Sequence, residues 1–109
     1  MRHNTQKSIR HDAIAKVKSI LSENGLDELL ISDIDEGNSP VVQWGNDDAD
    51  TYTLDEISLN TNGTILFNAS SCWTSGVWDE NDISTDALID IVDFLEENEE
   101  IIKEYAEEI

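Results

Sequence analysis

The chain has 109 residues and a formal charge of −19, with six Lys or Arg against 25 Asp or Glu. A chain of this length has room for one hydrophobic core and no second domain. Residues 1–109 are therefore expected to form a single domain, with residues 1–5 a candidate disordered end. Its acidity excludes direct binding to nucleic acid or to an anionic membrane, and directs any electrostatic partner toward a basic protein or a metal cation.

The charge is unevenly placed. Residues 1–22 hold Arg2, Lys7, Arg10, Lys16 and Lys18 against Asp12, a balance of +4, whereas residues 23–109 hold 24 acids against Lys103, a balance of −23. An apolar content of 39% with three Trp, two Tyr and two Phe supplies a core, although the charge presses toward the disordered regime. The lone Cys72 has no partner for an internal disulfide, and the N-terminus lacks the apolar region of a signal peptide. A reducing, cytoplasmic compartment is the expectation.

Ile9, Ala13, Val17, Ile20 and Leu21 recur at helical spacing, and Asn24-Gly25 supplies a stop, which predicts a first helix over about residues 5–24. Its basic groups Lys7, Arg10, His11 and Lys18 fall on or near one face. That face is either solvated decoration or a counterweight to the acidic remainder. Leu29, Leu30, Ile31 and Ile34 form a short apolar run, ended by the turn formers Asp35-Glu36-Gly37-Asn38-Ser39-Pro40. Val41, Val42 and Trp44 then read as a short strand, at an edge because Pro40 opens it.

Between Tyr52 and Ser70 two strand-like runs meet at Thr61-Asn62-Gly63. A two-residue turn would pair apolar with polar across the ladder. A three-residue loop instead sets Leu59 opposite Ile65 and Ile57 opposite Phe67, with Gly63 in the left-handed bulge position. Cys72, Trp73, Val77 and Trp78 suggest a further strand or turn. Ser84 is a candidate N-cap, with Ile83 and Leu88 placed to form a hydrophobic staple.

A second helix is predicted from about Thr85 to Glu108, with Leu88, Ile91, Val92, Leu95, Ile102 and Tyr105 on its core face. The fold class is α+β: an N-terminal helix, four to five short antiparallel strands and a C-terminal amphipathic helix, both helices packed on one face of the sheet.

The other face of this last helix carries Asp86, Asp90, Asp93, Glu97, Glu100, Glu104 and Glu107, at spacings of 4, 3, 4, 3, 4 and 3. On one continuous helix this row would be on the order of 30 Å long, with a charge roughly every 5 Å. Like charges at these spacings repel by a few tenths of a kcal/mol per pair, and acids near the helix end oppose its dipole. The row is either a surface for a basic partner or a solvated face.

The residues offer no catalytic constellation. Nothing distinguishes one carboxylate pair from the others, and His3 and His11 are not placed by the sequence near Cys72. The segments starting at Asp33 and Asn46 fail the EF-hand pattern, with Asn38 and Trp44 in the first and Thr51 and Ile57 in the second where Gly and Glu are required. No catalytic residue, cofactor or metal ligand is assigned. Trp73 and Trp78 are candidate contact residues, since an exposed Trp beside an acidic rim resembles a binding hot spot.

The leading expectation is a non-enzymatic acidic interaction protein that binds and inhibits a basic protein. It would act as a nucleic-acid mimic on a nucleic-acid-binding protein, or as an immunity or antitoxin-type inhibitor of a toxin. The alternative is a soluble structural domain whose acidity prevents aggregation and which binds through a sheet edge or exposed Trp residues.

Overall fold

The computed structural model describes residues 6–35, 40–43, 51–71 and 74–108. The order is α1 (Gln6–Glu23), β1 (Glu28–Leu30), α2 (Ser32–Asp35), β2 (Val41–Gln43), β3 (Thr51–Leu59), β4 (Ile65–Ser70), β5 (Ser75–Asp79), α3 (Thr85–Glu97) and α4 (Glu99–Glu108). Helices and an antiparallel sheet share one core, the α+β arrangement that the hydrophobic pattern predicts.

Helix α1 ends where Asn24-Gly25 allows the chain to reverse. Gly25 has φ +68°, its N–H donates to the Ser22 carbonyl at 3.1 Å, and the Leu26 N–H donates to the Leu21 carbonyl at 2.9 Å. This is a Schellman closure, in which the buried Leu21 and Leu26 flank the turn. The apolar stripe of α1 behaves as its spacing requires: Ala13, Val17, Ile20 and Leu21 are buried and Ile9 is half-buried.

The sheet runs β1-β3-β4-β5, and β2 also pairs with β3. Two short strands thus share one edge of β3, with Leu29 opposite Ile57 and Val42 opposite Tyr52. Between them the β3–β4 register shifts at Leu54/Glu56, and the carbonyl of the intervening Asp55 accepts the Ile31 N–H at 2.9 Å. That bulge bends β3 so that both partners can pair with it. The β3–β4 hairpin has the three-residue loop, with Leu59 opposite Ile65 and Ile57 opposite Phe67 and Gly63 at φ +89°. One sheet face buries Ile57, Ile65, Phe67 and Ala69. The opposite face carries Glu56, Ser58, Leu66 and Asn68, where the Asn68 amide donates to the Glu56 carboxylate at 2.8 Å.

Two elements differ from the sequence expectation. The segment before the predicted turn cluster closes one helical turn, α2, because both Ile34 and Asp35 donate to the Ile31 carbonyl at 3.0 Å and Ile34 is buried. The single helix expected over 85–108 is two, broken at Asn98. There the Asn98 N–H donates to the Leu95 carbonyl at 3.2 Å and its side-chain amide donates to the Phe94 carbonyl at 2.8 Å. A short amide side chain that satisfies the last carbonyls of a helix ends it. The new start places Glu99 and Glu100 in the first turn of α4, where negative charge favours the helix dipole.

Helix α1 packs against α3, and its cations fix the segment that leads into α3. The Arg10 guanidinium donates to the carbonyls of Ile83 at 2.6 Å and Glu80 at 2.7 Å and to the Thr85 hydroxyl at 3.2 Å. Lys18 lies 3.3 Å from the Glu80 carboxylate, which also accepts the Ile65 N–H of β4 at 3.0 Å. Arg10→Ala removes three charge-assisted bonds and leaves two part-buried carbonyls to be resatisfied, so the unfolding free energy in urea is expected to fall by about 2–3 kcal/mol. Arg10→Lys should recover less than half of the loss, because an ammonium lacks the planar fork that spans both carbonyls. An Arg10→Ala variant as stable as wild type would contradict this role.

Candidate interaction surface

Helix α3 begins as its sequence dictates. Ser84 is extended at φ −71°, ψ 155°, and its hydroxyl accepts the Ala87 N–H at 3.2 Å. Ile83 before the cap and Leu88 in the first turns are both buried, the staple arrangement. Ala87, Leu88, Ile91, Phe94 and Leu95 of α3 enter the core with Ile102 of α4, while Val92 and Tyr105 pack partly against it. With that face committed to the interior, the opposite face must meet solvent.

All seven carboxylates of the row are exposed. The break at Asn98 divides them into Asp86, Asp90, Asp93 and Glu97 on α3 and Glu100, Glu104 and Glu107 on α4. Each group is straight only within its own helix, about 17 Å and about 10 Å long respectively. The single continuous helix expected to carry the row of about 30 Å is therefore interrupted at Asn98. Among the described residues, the close ion pairs join Lys16 to Glu96 at 3.9 Å and Glu99 at 3.8 Å, Lys18 to Glu80 at 3.3 Å, and His11 to Asp12 at 3.7 Å. None involves a member of the row. Lys16 instead bridges the last turn of α3 and the first turn of α4, on the side that faces α1.

The α4 group adjoins a second acidic element. Asp33 of α2 and Ile101, Glu104, Tyr105 and Glu108 of α4 line one cleft of about 460 Å³. The Tyr105 phenol is raised above its ordinary value of 10.0, first by burial and then by the negative charges of Asp33, Glu28 and Glu56. The acids of α2, β1 and β3 thus act on the same side chain that α4 presents to the cleft. The loop Asn46–Asp50 lies outside the described residues. In the segment before α3, the Asp79 carboxylate accepts the N–H groups of Asn81 at 2.8 Å and Asp82 at 3.0 Å, which closes the turn.

The two tryptophans of the expected contact set have different standing. Trp73, with Cys72 and Trp44, lies outside the described residues. Trp78 on β5 is half-buried and packs against the core. Its ring lies over Gly76, where a Cβ would collide with it, and meets Tyr52 edge-on at 5.1 Å and 67°. Area and an aromatic partner account for this ring. Asp33 stands in a segment weighed for calcium and Tyr105 on the predicted core face of the last helix, whereas Ile101 and Glu108 carry no signal of their own; that these residues meet is not legible from spacing, because the cleft joins α2 to α4 across most of the chain.

Among the described residues no group of three His, Cys, Asp or Glu is arranged to hold a metal ion, and no helix is long and apolar enough to cross a membrane. No protein-family model matches the chain, nor does any curated protein or any solved structure.

The field at Tyr105 can be measured. Burial and nearby carboxylates favour the neutral phenol in the folded state, so its contribution to stability is full below pH 10.0 and is lost as pH rises through the higher folded value. In a Tyr52→Phe background, titration of the phenolate absorbance is expected to give a Tyr105 midpoint above 10.0 that moves down on Asp33→Asn. A midpoint at or below 10.0 would show that the acids of α2 and the sheet do not reach this cleft.

Proposed function

We propose that this chain is a non-enzymatic acidic interaction protein that binds and inhibits a basic protein, with the exposed carboxylates of α3 and α4 as its recognition surface. One observation carries the reading. The cations Arg10, Lys16 and Lys18 are engaged on the α1 side of the molecule, by the β5–α3 segment and by Glu80, Glu96 and Glu99, while the outward carboxylates of the row have no ion-pair partner among the described residues. Unpaired like charges at helical spacing cost stability, and that cost is offset when a partner supplies the opposite charge.

Two forms of inhibitor share this surface. A nucleic-acid mimic must approach the density of DNA, about one charge per 1.7 Å. A single row at roughly 5 Å per charge falls short of it, and only the α4 end, thickened by Asp33 and Glu108, comes nearer. An immunity or antitoxin-type inhibitor of a basic toxin needs only a complementary potential and the fast association that follows from it. The surface meets the second requirement more fully.

A second reading rests on β5. Among the described residues this strand pairs only with β4; it contains no Lys or Pro between Ser75 and Asp79 and exposes Val77 at 59%. Such an edge accepts an added strand. On that reading the carboxylates serve solubility, and binding occurs at the sheet edge.

Affinity capture from host lysate over about 50–300 mM salt separates the two readings, using wild type and a variant with Asn or Gln at Asp86, Asp90, Asp93, Glu97, Glu100 and Glu104. Wild type is expected to retain one basic protein that the variant releases. Retention of the same protein by both would favour the β5 edge, and retention of nothing specific by either would contradict the proposed function.

A further inference from the structure

Asn stands directly before Gly twice in this chain, at Asn24-Gly25 and at Asn62-Gly63. With no Cβ on the following residue, the backbone nitrogen of Gly approaches the Asn carboxamide more closely than that of any residue with a side chain. The fold treats the two pairs differently. At the end of α1 the Asn24 amide donates to the Ile20 carbonyl at 2.7 Å, which turns the carboxamide back along the helix and away from the Gly25 nitrogen. That nitrogen lies inside the Schellman closure, where its N–H donates to the Ser22 carbonyl at 3.1 Å beside the buried Leu21 and Leu26. In the β3–β4 loop the carboxamide is turned the other way, because its Oδ1 accepts the Thr64 N–H at 3.0 Å and so lies forward along the chain, on the side of Gly63. Asn60, Thr61, Asn62 and Gly63 are all exposed. The 2.9 Å bond from the Gly63 N–H to the Asn60 carbonyl therefore opens without uncovering a core side chain.

We propose that Asn62 is a site of spontaneous covalent modification, deamidation through a cyclic imide, and that the fold protects Asn24 from the same reaction. The Gly63 nitrogen, its proton passed to solvent base, bonds to Cγ of Asn62; the Cγ–Nδ2 bond breaks and the carboxamide nitrogen leaves as ammonia. Water then opens the imide. Breaking the bond between the Gly63 nitrogen and Cγ gives aspartate at this position. Breaking the bond between that nitrogen and the main-chain carbonyl carbon gives isoaspartate, in which the main chain runs through Cγ. Water enters and ammonia leaves, and no other reactant is required. The Thr64 N–H sits on the oxygen that gains charge as Gly63 attacks, the placement that stabilises a developing oxyanion. Either product replaces a neutral amide by a carboxylate on a chain already at −19. Isoaspartate also adds a backbone carbon to the loop that sets Leu59 opposite Ile65.

Incubation of the folded chain at mildly alkaline pH tests the assignment, followed by digestion at acidic pH and mass spectrometry with fragmentation that separates aspartate from isoaspartate. The peptide holding Asn62 is expected to gain the mass of an NH-to-O exchange at least about tenfold faster than the peptide holding Asn24, since reaching Gly25 also uncovers Leu26. In guanidinium chloride, where both turns are open, the two rates should converge. Asn62→Gln should remove the more acidic form that accumulates in wild type on anion exchange. Equal rates for the two peptides in the folded chain would overturn the proposal, as would an Asn62 peptide that stays unmodified when folded yet reacts in denaturant.

Discussion

The placement of a few cations along α1 governs this molecule. Residues 23–109 carry 24 acids against Lys103, a density at which a chain tends to remain unfolded. Helix α1 brings cationic groups to that acidic segment at defined points. Arg10 clamps the segment between β5 and α3, Lys18 meets Glu80, which also holds the start of β4, and Lys16 spans Glu96 and Glu99 across the break between α3 and α4. Individually, the exposed Lys pairs contribute little, about 0–1 kcal/mol each. The Lys16 pairs join α1 to α3, against which it packs, and to the first turn of α4, while the apolar face committed to the core leaves the carboxylates of the row outward.

The core does the remaining work. Among the described residues the buried hydrophobic side chains form one cluster that draws on α1, the inner face of the sheet, α3 and α4. With no charged side chain buried among the described residues, the interior gains from burial without the desolvation cost of ionised side chains. Charge among the described residues is therefore a surface matter. The repulsion within the α3 and α4 rows subtracts from a stability that the core supplies, and salt or a basic partner can relieve it.

Where local chemistry decides, the sequence was a sufficient guide. The stripe Ala13, Val17, Ile20 and Leu21, the Gly25 stop, the Gly63 bulge hairpin and the Ser84 cap each follow from spacing or from a residue whose conformation has few alternatives. Where tertiary contacts decide, it was not. The α2 turn depends on the burial of Ile34, which competes with strong turn formers just beyond it. The break at Asn98 was concealed because Leu95 and Ile102 are seven residues apart, two helical turns, so the apolar pattern reads through it. The carboxylate row was legible as a list of exposed residues but not as a shape. Its meeting with Asp33 joins elements distant in sequence, for which a single chain carries no local signal.

If the outward carboxylates of α3 and α4 serve recognition, they do not hold the fold together. Urea unfolding of wild type and of a variant with Asn or Gln at Asp90, Asp93, Glu97, Glu104 and Glu107 tests it most directly, at low salt and at about 1 M NaCl, where screening shrinks to a few Å. Asp86 and Glu100 are kept because they complement helix N-termini. The neutralised variant should be more stable than wild type at low salt and the difference should vanish at high salt. A variant less stable than wild type at low salt would mean that these charges are structural, and the recognition surface would have to be sought elsewhere.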